Sequence, residues 1–175
     1  PERLTTMHQQ VGYCSDMIRT TMGAMRNDSG GARSLHLNSV VESCLDIARP
    51  MIKETGVDVD LNFAEHLSTV NGEVILVRQV LLNLLANACE AMADQVEERK
   101  IGVSTWCDAN QVCVTVRDTG PGVPKALRRR IFDTFFTTKG SKGTGLGLSV
   151  VRTSMERLGG SVELEDDGIQ RSGFI

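Results

Sequence analysis

Ile101-Gly102-Val103-Ser104-Thr105-Trp106-Cys107, then Asp108-Ala109-Asn110, then Gln111-Val112-Cys113-Val114-Thr115-Val116-Arg117: small or polar side chains interleave with apolar ones along both arms, and a turn-forming trio lies between them. A period of two belongs to strands, and Asp and Asn favour turns, so the stretch predicts an antiparallel hairpin. A hairpin of sequence neighbours fits an α+β sandwich better than a doubly wound parallel sheet.

Working outward, residues 72 to 94 read as a helix whose buried face is Val77, Leu81, Leu84, Leu85 and Ala88. Val57 to Phe63 alternates like a half-buried strand. Before it, residues 38 to 55 read as a helix capped by Asn38 and stopped by Gly56, with Pro50 expected to kink or break it. Ser34 to Leu37 reads as a short strand. Residues 4 to 27 read as one long helix with a seam through Met7, Val11, Cys14 and Ile18, and 27 to 31 as a loop and boundary. On the other side of the hairpin, 120 to 142 is loop-like with one short helix over 125–130. A helix from Thr144 to Leu158 ends at Gly159-Gly160, and 161–165 and 172 onward read as closing strands. The expected fold is a two-layer α+β sandwich preceded by one long helix, with residues 1–30 and 31–175 as separate units.

Composition limits the function. Of 175 residues, 41% are hydrophobic and 23% charged, which is globular and not disordered. The net charge of −3 gives no field that attracts nucleic acid. No apolar run reads as a membrane span, and the N-terminus is not a signal peptide, so the expected location is cytoplasmic, with an anchor elsewhere in a parent protein left open. Both ends look cut from a longer chain. Five cysteines without a CxxC pair read as reduced thiols, not a disulfide framework or zinc site.

Four features carry chemistry. Gln79, Asn83, Asn87, Glu90 and Asp94 fall on one stripe of their helix. Two amides one turn apart can offer carbonyl oxygens to Mg²⁺, although an ordinary solvated face has the same spacing. Asp118, at a strand end before Thr119-Gly120-Pro121-Gly122, can accept a hydrogen bond from the exocyclic amine of adenine, and the same residues also fit a plain turn. Gly143-Thr144-Gly145-Leu146-Gly147-Leu148 opens a helix, whose free N–H groups and dipole suit phosphate, without matching the P-loop or Rossmann spacing. Between these glycine motifs, residues 125–142 hold six cations against Asp133, a net +5 that leaves −8 for the rest. A basic loop between an adenine site and a phosphate site has the character of a nucleotide lid, and Phe132, Phe135 and Phe136 are expected to dock it when nucleotide binds. The histidines at 8, 36 and 66 show no metal or nucleophile spacing, and His8 reads as a surface residue.

The order of these features resembles the sensor histidine kinases. Asn83-Leu84-Leu85-Ala86-Asn87-Ala88-Cys89-Glu90-Ala91 is similar to their N box, Asp118-Thr119-Gly120-Pro121-Gly122 to the G1 box, Phe132-Asp133-Thr134-Phe135-Phe136-Thr137-Thr138-Lys139 to the F box, and residues 143–148 to the G2 box. The resemblance spans residue 32 onward and implies a Bergerat-type (GHKL) ATP-binding sandwich. It implies ATP and Mg²⁺ as cofactors, Asn87 with Asn83 at the metal, and Asp118 at the adenine amine. Gly120 and Gly122 would shape the adenine pocket and Lys139 would reach a phosphate. Gly143, Thr144, Gly145, Leu146, Gly147 and Leu148 would line the phosphate side and hinge the lid. Some members carry a basic residue where this chain has Glu90. The first helix resembles the second helix of a dimerisation domain, and the phosphoacceptor His is expected upstream of Pro1. The implied partners are that His helix in a homodimer and the receiver domain of a response regulator. Two other readings stay open: a GHKL ATPase acting as a nucleotide-gated switch, and a nucleotide-binding module without turnover.

Overall fold

A computed structural model describes residues 32–93, 98–108, 111–140 and 143–165, and the backbone of 172–174. The expectations for residues 1–31, including the long helix, His8 and Cys14, lie outside the described residues, as does Asp94 of the polar stripe.

The hairpin forms as expected. β4 (Lys100–Asp108) and β5 (Gln111–Asp118) pair antiparallel from Ile101 opposite Asp118 to Asp108 opposite Gln111. β2 (Asp58–Phe63) joins β4 in parallel, and β7 (Ser172–Phe174) joins β5 antiparallel. With β6 (Leu164–Glu165) at the far edge, the sheet order is β2-β4-β5-β7-β6. A separate ribbon pairs β1 (Arg33–Leu35) with β3 (Val70–Gly72); three-residue strands carry too little periodicity to read, and β3 was not expected.

Three helices pack together and onto the sheet: α1 (Leu37–Thr55), α2 (Val74–Ala91) and α3 (Gly147–Arg157). α2 lies against both others and against β4 and β5. Leu81, Leu85, Val41, Cys44, Ile101, Val103, Val116 and Val151 are the fully buried apolar contacts between the layers. Apolar burial of this extent is the dominant favourable term in folding. Leu76 and Val80 are also buried, and Val77, expected on the buried face, is partly buried against the core. α2 is long and apolar enough to cross a membrane by length and composition, yet half of it is buried inside this fold.

Several local expectations need correction. Asn38 does not cap α1, which begins one residue earlier after His36. Its amide instead donates to the Ala64 carbonyl at 3.1 Å and accepts from Thr105 Oγ1 at 2.8 Å, tying the helix to the sheet. Pro50 does not break α1: it lies on the exposed face of the helix, as does Asp46, the residue whose carbonyl a donor at position 50 would have bonded. Residues 125–130 form successive turns, not a helix: the Leu127 and Arg130 N–H groups reach back three residues to Pro124 and Leu127. The helix expected from Thr144 starts at Gly147. Cys44 and Cys89 are buried, and burial pushes the Cys44 thiol up to about 12, so it stays protonated.

Candidate nucleotide site

The site lies where the C-terminal half of α2, the end of β5 and the start of α3 meet. Asp118 is the last residue of β5 and only 5% exposed, because the hairpin register places it opposite Ile101 beneath α2. Its Oδ1 accepts the Gly120 N–H at 2.8 Å. Burial raises the carboxyl from 3.8 to about 6, opposed by the Gly120 N–H and by the Lys139 charge. The turn after it is fixed by Thr119, whose hydroxyl donates to the Glu98 carbonyl at 2.8 Å and accepts the Lys100 N–H at 3.0 Å. The sequence places Thr119 only in the turn, whereas its bonds are with residues about twenty positions away. Gly122 takes φ +69, a conformation that side chains disfavour.

Asn83 is 2% exposed, so the solvated-face reading of the polar stripe fails at its centre. Its Nδ2 donates to the Gln79 carbonyl at 2.8 Å, one turn back on its own helix. Asn87, the next turn on, has a buried Nδ2 with no hydrogen-bond partner among the described residues. Gly147, the first residue of α3, faces both amides: a Cβ there would lie 3.5 Å from Asn83 Oδ1 and from both amide atoms of Asn87. The first turn of α3 has no side-chain cap, so its N–H groups are directed to this space without a side-chain acceptor. Ser154 Oγ meets Gln79 Oε1 at 3.3 Å and ties α3 to α2 further along.

Residues 119–146 are mostly turns and bends, with no α-helix or strand among the described positions. This is the basic stretch expected to be a lid. Phe132 and Phe136 are half-buried on the core with Arg152 and Arg130 over their rings at 5.6 and 4.6 Å. Phe135 is 74% exposed at φ +66. Its N–H donates to the Gly145 carbonyl at 2.9 Å, and a Cβ on Gly145 would collide with the Phe135 backbone. Gly145 itself has φ +66, so this contact needs glycine twice over. Gly143 packs against Thr137 and Lys139. Thr144 Oγ1 accepts the Leu146 N–H at 3.4 Å; Leu146 is exposed, and Leu148 packs on the core. Lys139 Nζ lies 2.5 Å from Glu90 Oε2 on α2.

The structure therefore brings Asn83, Asn87 and Gly147 together, places Asp118 with Gly120 at the end of the adjoining strand, and ties Lys139 to α2. Two amide carbonyls beside an uncapped helix N-terminus suit a hard cation shared with phosphate oxygens, and the unpartnered Asn87 Nδ2 suits a phosphate acceptor. A buried carboxylate with one oxygen turned to a backbone N–H suits an amine donor on a flat ring.

Comparison with known proteins shows the family. The family of histidine kinase-, DNA gyrase B-, and HSP90-like ATPases matches residues 72–173. The signal transduction histidine-protein kinase AtoS of Escherichia coli is 32% identical over 85% of this chain, and the C4-dicarboxylate transport sensor DctS of Rhodobacter capsulatus is 31% identical over 89%. The chain spans 24% of the length of each. The nucleotide-free catalytic domain of histidine kinase ThkA superposes with a TM-score of 0.71 at 31% identity, over 83% of this chain and 95% of that one. ThkA in complex with the response regulator TrrA shares the fold at 24% identity and a TM-score of 0.70, over 99% of this chain and 51% of that one. The chain belongs to the histidine kinase-, DNA gyrase B-, and HSP90-like ATPase family, as the catalytic ATP-binding region of a sensor histidine kinase.

Proposed function

We propose that the chain holds Mg·ATP in this site and donates its γ-phosphoryl group to a His on a separate helix, from which it passes to an Asp of a response regulator. The buried, unpartnered Asn87 amide facing Gly147 carries the reading. Asn87 and Asn83 would hold Mg²⁺, which supplies charge neutralisation between the phosphates. Asp118 would accept the adenine amine on its Oδ2 edge, with Gly120 and Gly122 shaping the pocket. Gly143 to Leu148 would lie along the phosphates, and Lys139 would reach one of them from the lid. Phosphoryl transfer needs little covalent chemistry from the protein, so positioning and charge neutralisation are the contribution expected of these residues.

The family name covers ATPase switches as well as kinases. Hydrolysis calls for a group that activates water. Here the buried polar position on α2 is the amide of Asn83, and the carboxylate of Glu90 is engaged by Lys139. That favours transfer to a protein acceptor. The AtoS and DctS names and the ThkA–TrrA complex support a His acceptor and a response-regulator partner, and we place the acceptor in a homodimeric, cytoplasmic helix pair. Titration of ATP with and without Mg²⁺ tests the site. Asp118→Asn is expected to abolish binding and Asn87→Ala to remove the Mg²⁺ dependence; near-normal behaviour of either variant refutes its assignment.

A further inference from the structure

Glu90 is left without a task by this reading, yet it lies on α2 one turn beyond Asn87. Its Oε2 meets the Lys139 ammonium at 2.5 Å, and each side chain is a little over one-third exposed, so water reaches the pair. Lys139 belongs to the irregular lid segment. Its N–H donates to Thr137 Oγ1 at 3.1 Å, and Gly140 next to it takes φ +56. The same ammonium is near enough to Asp118 to lower that carboxyl against its burial. One flexible cation thus faces Glu90 on one side and the nucleotide site on the other.

We propose that Glu90 competes with the nucleotide's phosphates for Lys139, and so sets how strongly the site favours a triphosphate over a ligand without phosphate. The inference rests on the nucleotide reading above. A lysine ammonium is a point charge on a four-carbon stem, able to change partner without a backbone rearrangement. A polyphosphate carries more charge than one carboxylate, and its proposed seat at Asn87 is one helical turn from Glu90. The pair is broken only by ligands that recruit Lys139. An exposed ion pair is weak, so the exchange is reversible. Glu90 is a positioning residue in this scheme: it acts through Lys139 and touches no reacting atom.

The test is calorimetric titration of the chain with ATP and with adenosine in the presence of Mg²⁺, using wild type, Glu90→Gln, Lys139→Met and the double variant. Glu90→Gln is expected to tighten ATP about two- to fivefold, the scale of an exposed ion pair, and to leave adenosine unchanged. The gain disappears in the Lys139→Met background and shrinks as salt is raised. Weaker ATP binding by Glu90→Gln would put Glu90 on the metal's side and overturn the proposal. Unchanged affinity, or equal tightening without Lys139, overturns it as well. A wild-type chain that binds no ATP refutes the nucleotide reading and this inference with it; intact wild-type binding with a silent Glu90→Gln refutes this inference alone.

Discussion

Asp118→Asn separates stability from function in a way that depends on pH. Burial lifts the carboxyl from 3.8 to about 6. An acid whose folded pKa lies above its unfolded one holds its proton more tightly in the folded state. It therefore subtracts from stability at high pH, and the penalty fades as pH falls from about 6 toward 3.8. A shift of about two units corresponds to about 3 kcal/mol at pH 7.5. Asparagine removes that charge and keeps an oxygen for the Gly120 N–H. It also buries an NH₂ group without an acceptor, which costs about 1–3 kcal/mol. The net expectation at pH 7.5 is a gain of about 0–2 kcal/mol, a rise of up to roughly 8 °C in Tm for a domain of this size. Near pH 4 the charge penalty is gone from the wild type, only the amide penalty remains, and the variant becomes the less stable protein. Over the whole range it is expected to bind no ATP. Thermal unfolding of both proteins from pH 4 to 8, paired with ATP titration, reads both effects. A Tm difference that does not change with pH, or retained ATP affinity, refutes the reasoning.

Other expectations follow from the same geometry. ATP affinity of the wild type should fall as pH drops through about 6, because a protonated Asp118 no longer presents a carboxylate to the adenine amine; a flat profile in direct binding measurements from pH 7.5 to 5 would contradict this. Gly145→Ala should strain the φ +66 position and force the Phe135 backbone away, weakening ATP binding while circular dichroism stays native; unaltered affinity would show that the Phe135–Gly145 contact is dispensable. Leu85→Ala, at a fully buried position between the layers, should destabilise the fold by about 2–5 kcal/mol in urea unfolding, and a loss below about 1 kcal/mol would mean the core is packed otherwise.

The parts legible in the sequence are those with a period or a local cause. The alternation over 101–117 fixed the hairpin, and the stripe on α2 pointed to Asn83 and Asn87 because helical spacing puts them one turn apart. Asp118 was legible as a strand-end acid before glycines. The parts that were not legible depend on distant partners. Asn38 has the residue type of a cap, yet its amide is used by Thr105, 67 positions away. Glu90 and Lys139 are 49 positions apart, and only the packing of the lid on α2 brings them together. The stretch 125–130 reads as a helix because Lys, Leu and Arg are good helix formers; there, the Leu127 and Arg130 N–H groups bond three residues back and Ile131, just beyond, bonds four back to Leu127, so one long bond stands where a helix needs a run of them. The β1–β3 ribbon is too short to leave a pattern.

The central claim is that this site presents the γ-phosphoryl of Mg·ATP to a histidine outside it. The most direct test mixes the chain with a separately produced phosphoacceptor helix pair and γ-labelled ATP. The expected result is acid-labile, alkali-stable label on the helix pair, none on the chain, and none anywhere with Asp118→Asn. Release of labelled inorganic phosphate at the same rate with and without the helix pair, and no label on its histidine, would contradict the account and mark the chain as an ATPase switch.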